Sequence, residues 1–240
     1  GSTGQLGCYL VEFLKEYDVD VWLWVRNPAA RTSTNRVIVD LTRPDEIEGA
    51  LAKSNPDVIF HLAAISTVDG VRTDPIGAEA INVRATALLS EWCARRDRRL
   101  ILTSTDLVFQ GDGSYYREED EAHPTVAYGR SKLEAERFVL ALDRGLVARL
   151  SLLFGFSRIG RPSFFDRAVD SLRSGTPQPF FEDEFRTPLD YGSAVAILTR
   201  LAFTDVRGLV HVGGPERLSR WELMRRAALS LGISPDLVLA

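Results

Sequence analysis

The sequence predicts an α/β fold, a doubly wound parallel sheet with a small C-terminal lobe, and three observations predict it. Short apolar runs alternate with amphipathic segments along most of the chain. Several runs are apolar almost throughout, as strands covered on both faces must be. A glycine-rich turn, Gly1-Ser2-Thr3-Gly4-Gln5-Leu6-Gly7, opens directly into an amphipathic helix through Leu10, Phe13 and Leu14.

The turn comes first. Gly-x-x-Gly-x-x-Gly supplies a tight bend, close approach of backbone to a pyrophosphate, and close packing of helix on strand. Gly-Ser also opens expression tags, but here a second strand follows at the right distance. Such a turn should follow a central strand, and none precedes Gly1. Without a middle strand its two neighbours would expose backbone donors and acceptors, so native residues are expected upstream. Residues 19–25 and 36–40 read as strands. Residues 44–53 read as a short helix, with Pro44 at its first turn and Thr42 a candidate cap. Residues 57–64 form a third, nearly continuous apolar strand, 75–95 a long helix and 99–104 the next strand. A loop leads into the helix that carries Tyr128, and residues 146–154 read as another strand.

After Gly155 the pattern loosens. Residues 158–190 hold four prolines and a helix near 164–172. Residues 192–201 read as helix and 208–214 as a late strand, and Ser219 caps a last helix over 220–231. The expected organisation is therefore a Rossmann-like domain over 1–154 and a substrate-binding lobe over 155–240, with 186–212 returning to the main domain. Irregular structure beyond the sheet is where substrate pockets are usually built.

Composition excludes several classes. The chain has 240 residues, is 45% hydrophobic and carries a net charge of −4, with a pI near 5.5. That balance argues against general nucleic-acid binding. No apolar run reaches the ~20 residues that span a bilayer, and no signal peptide is visible. Cys8 and Cys93 are the only cysteines, which fits a reducing cytoplasm and gives neither a disulfide framework nor a metal cluster. His61 reads as a packed strand residue; His123 and His211 suggest no metal site. Arg117–Glu121 reads as a solvated loop, and Trp22 and Trp24 as strand packing.

The chemistry centres on Tyr128-Gly129-Arg130-Ser131-Lys132. Spaced by four on a helix, Tyr128 and Lys132 share one face. A neighbouring ammonium stabilises phenolate, so the Tyr128 pKa is expected to fall toward working pH. Such a tyrosine can give a proton to a carbonyl oxygen or take one from an alcohol. Alone, the spacing also fits an exposed pair on a polar helix. The glycine turn supports a dinucleotide, with Gly1, Thr3, Gly4, Gln5 and Leu6 against its phosphates. The second strand ends at Val25-Arg26-Asn27 with no carboxylate, where an acidic residue would favour NAD. Arg26 can pair with a 2′-phosphate, which favours NADP(H) and leaves NAD(H) open, or it is a solvated arginine. Asp40 and Leu41 are placed for the adenine edge. Ala63 and Ala64 are small enough for a cofactor to lie across that strand end.

These pieces resemble the extended short-chain dehydrogenase/reductase superfamily and, within it, the dTDP-4-dehydrorhamnose reductase family. The resemblance covers nearly the whole chain. It rests on Gly1–Gly7, Ala63-Ala64 with Val68-Asp69, Ser104-Thr105-Asp106-Leu107-Val108-Phe109, Tyr116–Asp120 and Tyr128–Glu136. It implies that Thr105 joins Tyr128 and Lys132 as the third catalytic group, its hydroxyl bonding the substrate carbonyl. Ser104 competes for that role and otherwise lines the cofactor. The implied activity is NAD(P)H-dependent reduction of a 4-keto nucleotide sugar in carbohydrate biosynthesis, with Thr105 and Asp106 at the sugar. Arg158, Arg161 and Arg186 are candidates for its diphosphate. A homodimer is left open.

Two departures concern the sugar site. Leu107 stands where the family usually has tyrosine, and Ser151-Leu152-Leu153 where it often has tryptophan. His61-Leu62-Ala63-Ala64 is more typical of nucleotide-sugar epimerases and dehydratases. The alternatives are therefore an epimerase or dehydratase on the same scaffold, or a non-catalytic NADP-binding regulatory subunit like the β subunit of methionine adenosyltransferase. Asp106-Leu107 breaks the Asp-Glu pair that a dehydratase often carries.

Overall fold

The computed structural model describes residues 1–27 and 35–240. In chain order its elements begin with α1 Gln5–Phe13, β1 Leu23–Val25, β2 Arg36–Ile38, α2 Pro44–Ser54, β3 Val58–His61, α3 Val68–Thr73, α4 Pro75–Ala78, a π-helical stretch Glu79–Arg84 and α5 Ala85–Arg96. They continue with β4 Arg99–Thr105, α6 Ala127–Leu140, β5 Gly145–Leu150, β6 Leu153–Phe154, α7 Phe164–Arg173, β7 Gln178–Pro179, β8 Phe185–Arg186 and β9 Leu189–Asp190. The last are α8 Tyr191–Ala202, β10 Gly208–Val212, β11 Leu218–Ser219, α9 Arg220–Ser230 and β12 Val238–Leu239.

The chain divides into two compact units, Gly1–Leu150 with Val195–Val212, and Ser151–Ala194 with Gly213–Ala240. The boundary thus falls at Leu150, not at residue 154, and the return begins at Val195, not at 186. The strand expected over 146–154 ends at Leu150, because Leu153–Phe154 pairs with Leu189–Asp190 instead of β4. Ser151 leaves the ladder, and its hydroxyl accepts from the Thr187 N–H.

In the first unit, β10, β5, β4 and β3 form a parallel sheet in that order. β5 is buried along its whole length, so no face of it can be polar without a partner. On one face Ile47 and Leu51 of α2, Leu89 and Trp92 of α5, and Ala135 and Val139 of α6 pack against Leu100, Leu102 and Val147. A second cluster joins Leu10 and Leu14, in α1 and the turn after it, to Val195 of α8, with Phe60 and Leu62 packed against it. These two helical layers make the sheet doubly wound. β1 and β2 form a separate parallel pair. Among the described residues no strand is bonded between β1 and β3, so the expected single sheet exists as two hydrogen-bonded parts.

Two helical expectations change. The helix expected over 75–95 is interrupted at Glu79–Arg84, where a π-helical turn carries the fully buried Asn82. Thr42 does not cap α2; its hydroxyl donates to Asp40 Oδ1 at 2.8 Å. α2 starts instead on Pro44, with Asp45 and Glu46 complementing the helix dipole.

In the second unit, Ser163 and Asp166 close a capping box on α7, and Ser219 and Glu222 close one on α9. The two helices share a core of Phe165, Val169, Leu172, Met224 and Ala228 with Val238 of β12.

Leu102 is fully buried whereas Leu229 is 59% exposed. Leu102→Ala is expected to cost about 2–5 kcal/mol in chemical denaturation, and Leu229→Ala less than about 0.5 kcal/mol. Equal costs would contradict the core assignment.

Candidate active site

The glycine turn closes through a Gly4 N–H bond to the Gly1 carbonyl, 3.0 Å. A Cβ on Gly7 would fall 2.1 Å from the same oxygen, so no other residue fits there without moving the turn. Ser2 Oγ donates to the Trp24 carbonyl at 2.7 Å, which ties the turn to β1. No side chain caps α1. Its first-turn N–H groups and dipole, around Thr3, Gln5 and Leu6, suit an anion. The dinucleotide phosphates implied by the sequence fit this end of the helix. Arg26 is exposed at the end of β1. After β2, Asp40 accepts bonds from the Thr42 N–H and hydroxyl at 2.9 and 2.8 Å. These bonds hold its pKa below the ordinary carboxylate value, with Arg26 and Arg43 adding to the effect. Leu41 packs on the core, and Ala63 and Ala64 follow β3.

At the end of β4 the pleat sends successive side chains to opposite faces. Ser104 Oγ donates to Glu136 Oε1 at 2.5 Å. Its hydroxyl is thereby committed to a buried carboxylate inside the protein. Thr105 Oγ1 accepts from the Leu107 N–H at 3.2 Å and lies 3.4 Å from Asp106 Oδ1.

α6 begins against this loop. A Cβ on Gly129 would fall 2.1 Å from the Leu107 carbonyl oxygen, so glycine permits the approach. Tyr128, Lys132 and Glu136 follow at four-residue spacing. Asn82 fixes the helix from the other side. Its side-chain amide accepts from the Ile65 N–H and donates to the Ile65 carbonyl and to Ser131 Oγ, at 2.9, 3.1 and 3.0 Å. Ser131 in turn donates to the Tyr128 carbonyl at 2.8 Å.

The electrostatics correct one expectation. The Tyr128 pKa is not lowered but pushed up to about 12, by burial first and by Asp106 second. The Lys132 pKa falls to about 8 because its side chain is buried, with Glu136 acting in the opposite direction. Burial, then Lys132, keeps the His61 pKa well below its ordinary value. At neutral pH the site therefore presents a protonated phenol, a buried ammonium and a neutral imidazole. Among the described residues no group of three or more His, Cys, Asp and Glu side chains could hold a metal ion.

The three arginines predicted for a diphosphate belong to the second unit. Arg158 and Arg161 are exposed in the loop before α7, and Arg186 in β8 lies 4.0 Å from Glu184. Sequence reasoning missed Asn82, Glu136 and Arg149. Each had a signal: an asparagine inside a helical pattern, a glutamate one turn after Lys132, and an arginine within an apolar strand.

The RmlD substrate binding domain family matches residues 1–239. The chain belongs to this family. A probable dTDP-4,6-dihydroxy-2-methyloxan-3-one 4-ketoreductase of Streptomyces antibioticus is 31% identical over 242 residues, covering 99% of this chain and 78% of the relative. Methionine adenosyltransferase 2 subunit beta of Xenopus tropicalis is 29% identical, covering 93% and 68%. Among solved structures, a hypothetical dTDP-4-dehydrorhamnose reductase from Sulfolobus tokodaii shares 29% identity at a TM-score of 0.85, covering 97% of this chain and 81% of that one. MoeE5 in complex with UDP-glucose and NAD shares 27% identity at a TM-score of 0.82, covering 98% and 81%. The family's α/β reductase fold is the one observed here. No helix among the described residues is long and apolar enough to cross a membrane.

Lys132 makes stability depend on pH. Its pKa is near 8 folded and about 10.4 unfolded, so between these values the unfolded chain binds more protons. This contribution to stability rises with pH across that window and is constant below it. Lys132→Met is expected to add on the order of 2–3 kcal/mol at pH 7 and to flatten the rise. Denaturation at pH 7 and pH 10 checks both.

Proposed function

We propose that this chain is an NAD(P)H-dependent reductase of a 4-keto nucleotide sugar. The observation that carries the reading is the protonated Tyr128 on the same helix face as a buried Lys132 that titrates near pH 8, beside the Thr105 loop. A dinucleotide held through its phosphates at the glycine turn would supply a hydride to the keto carbon. Tyr128 gives its proton to the carbonyl oxygen. Lys132 stabilises the phenolate left behind and would donate to the ribose hydroxyls of a bound dinucleotide. Thr105 aligns the carbonyl through its hydroxyl, and Asp106 borders the sugar. Family membership and the named 4-ketoreductase relative support this activity. The same reading leaves a homodimer open and places the protein in the cytoplasm.

A second reading, a non-catalytic binding subunit, is favoured by the similarity to methionine adenosyltransferase 2 subunit beta. NADPH oxidation over a panel of 4-keto nucleotide sugars separates the two. It also separates a reductase from an epimerase, which recycles its own cofactor.

Tyr128→Phe is expected to abolish turnover while NADPH still binds, since the ring's packing is kept and only the proton donor is lost. Turnover within a few-fold of the parent would refute the role of the phenol.

Arg26 at the end of β1 favours NADPH by its charge, and a single exposed pair is worth ~1 kcal/mol, or several-fold in affinity. Both cofactors are therefore expected to bind, NADPH more tightly, and Arg26→Asp to reverse the order. Dissociation constants at fixed salt decide it; tighter NADH binding by the parent would show that Arg26 serves solvent alone.

A further inference from the structure

Glu136 takes no part in the proton transfer, yet it is as buried as Lys132, each 1% exposed. It follows Lys132 by one turn on the same face of α6. Its carboxylate is bound from two strands. Ser104 Oγ on β4 donates to Oε1 at 2.5 Å, and Arg149 on β5 donates through Nε to Oε1 at 3.1 Å and through a terminal nitrogen to Oε2 at 2.8 Å. The Arg149 guanidinium stacks 5.0 Å over Phe109, whose other contacts include Tyr116 stacked at 4.2 Å. A bidentate pair of this kind cannot swing. Burying charge is costly, and an ion pair serving stability alone could be replaced by apolar packing at little loss. Here the carboxylate is paired directly with one cation, and Lys132 of the candidate active site lies one turn away on the same buried helix face, within reach of its charge.

We propose that Glu136, clamped by Arg149 and Ser104, is a positioning residue that holds Lys132 as an ammonium beside Tyr128. The proposal rests on the reductase reading for the ammonium's purpose. It deepens that reading by naming what keeps a buried lysine charged at the pH of catalysis. Burial alone drives Lys132 toward the neutral amine, and Glu136 opposes it. The other charged groups around α6 do not replace it. His61 on β3 is held neutral, and Asp106 after β4 acts on Tyr128. His211 on β10 packs edge-on to Phe109, and its backbone N–H donates to Glu118. On α3 and the π-helical stretch, Asp69 pairs with Arg72 and Glu79 with Arg84 at the surface.

The chain's three lysines make the test direct: Lys15, Lys53 and Lys132. With ¹³C-labelled lysine, NMR gives one titrating signal for each, and the exposed Lys15 and Lys53 are internal references. In the parent, Lys132 is expected to titrate near pH 8. Glu136→Gln should lower that value by about one unit, tenfold in proton affinity. Glu136→Asp, which keeps the charge, should restore most of it. Because Glu136→Gln leaves Arg149 buried and unpaired, Glu136→Gln/Arg149→Met is the companion variant. It removes one charge of each sign, and Lys132 should titrate low there as well. NADPH affinity, measured without any sugar, should start to fall at the same shifted pH in each variant. Lys132 titrating as in the parent in both glutamine variants, or moving equally with Asp and Gln, overturns the proposal. Neither readout depends on sugar reduction, so a failure of the reductase reading would show separately, in the NADPH oxidation panel.

Discussion

Everything at the candidate site depends on a lysine kept inside the protein. Lys132 loses its water shell when α6 packs on the sheet, and that burial lowers its proton affinity to a pKa of about 8. The sheet supplies the counterweight, since β4 and β5 hold Glu136 in place through Ser104 and Arg149. An arginine near the end of a fully buried strand would be prohibitively costly alone. Paired, it fixes the register of helix on sheet at the point where proton transfer would occur.

The same packing explains why the phenol is protonated. Burial and Asp106 both disfavour phenolate, which leaves Tyr128 an acid at neutral pH. That state suits proton donation to a developing alkoxide, the direction a reductase needs. A second restraint comes from Asn82. The π-helical turn directs its amide to Ile65 and Ser131, so the loop after β3 and the start of α6 are held by one side chain. π turns recur where a helix must place a single residue outside its regular pattern.

The fold class was legible because its signals are local and repeated. Nearly continuous apolar strands such as 57–64, the alternation with helices, and the glycine turn each follow from backbone and solvent physics that a short window records. The reactive pair was legible for the same reason: four-residue spacing on a helix puts Tyr128 and Lys132 on one face in any protein. One error came where a partner lay elsewhere in the chain: the 146–154 run broke because Leu153–Phe154 found Leu189–Asp190. Another was local, since Thr42 read as a cap for the helix after it but bonds Asp40 two residues before it.

The sequence by itself therefore determined the doubly wound α/β class, the glycine turn and the candidate chemistry of Tyr128 and Lys132. Only the tertiary structure decided their protonation. Spacing predicted that Lys132 would lower the Tyr128 pKa; packing raised it instead, because desolvation disfavours the phenolate and Asp106 adds to that effect. The partner of Ser104 was also a tertiary matter. Adjacent hydroxyls on a strand face opposite ways, and only the position of Glu136, 32 residues later in the chain, shows that Ser104 is already bound.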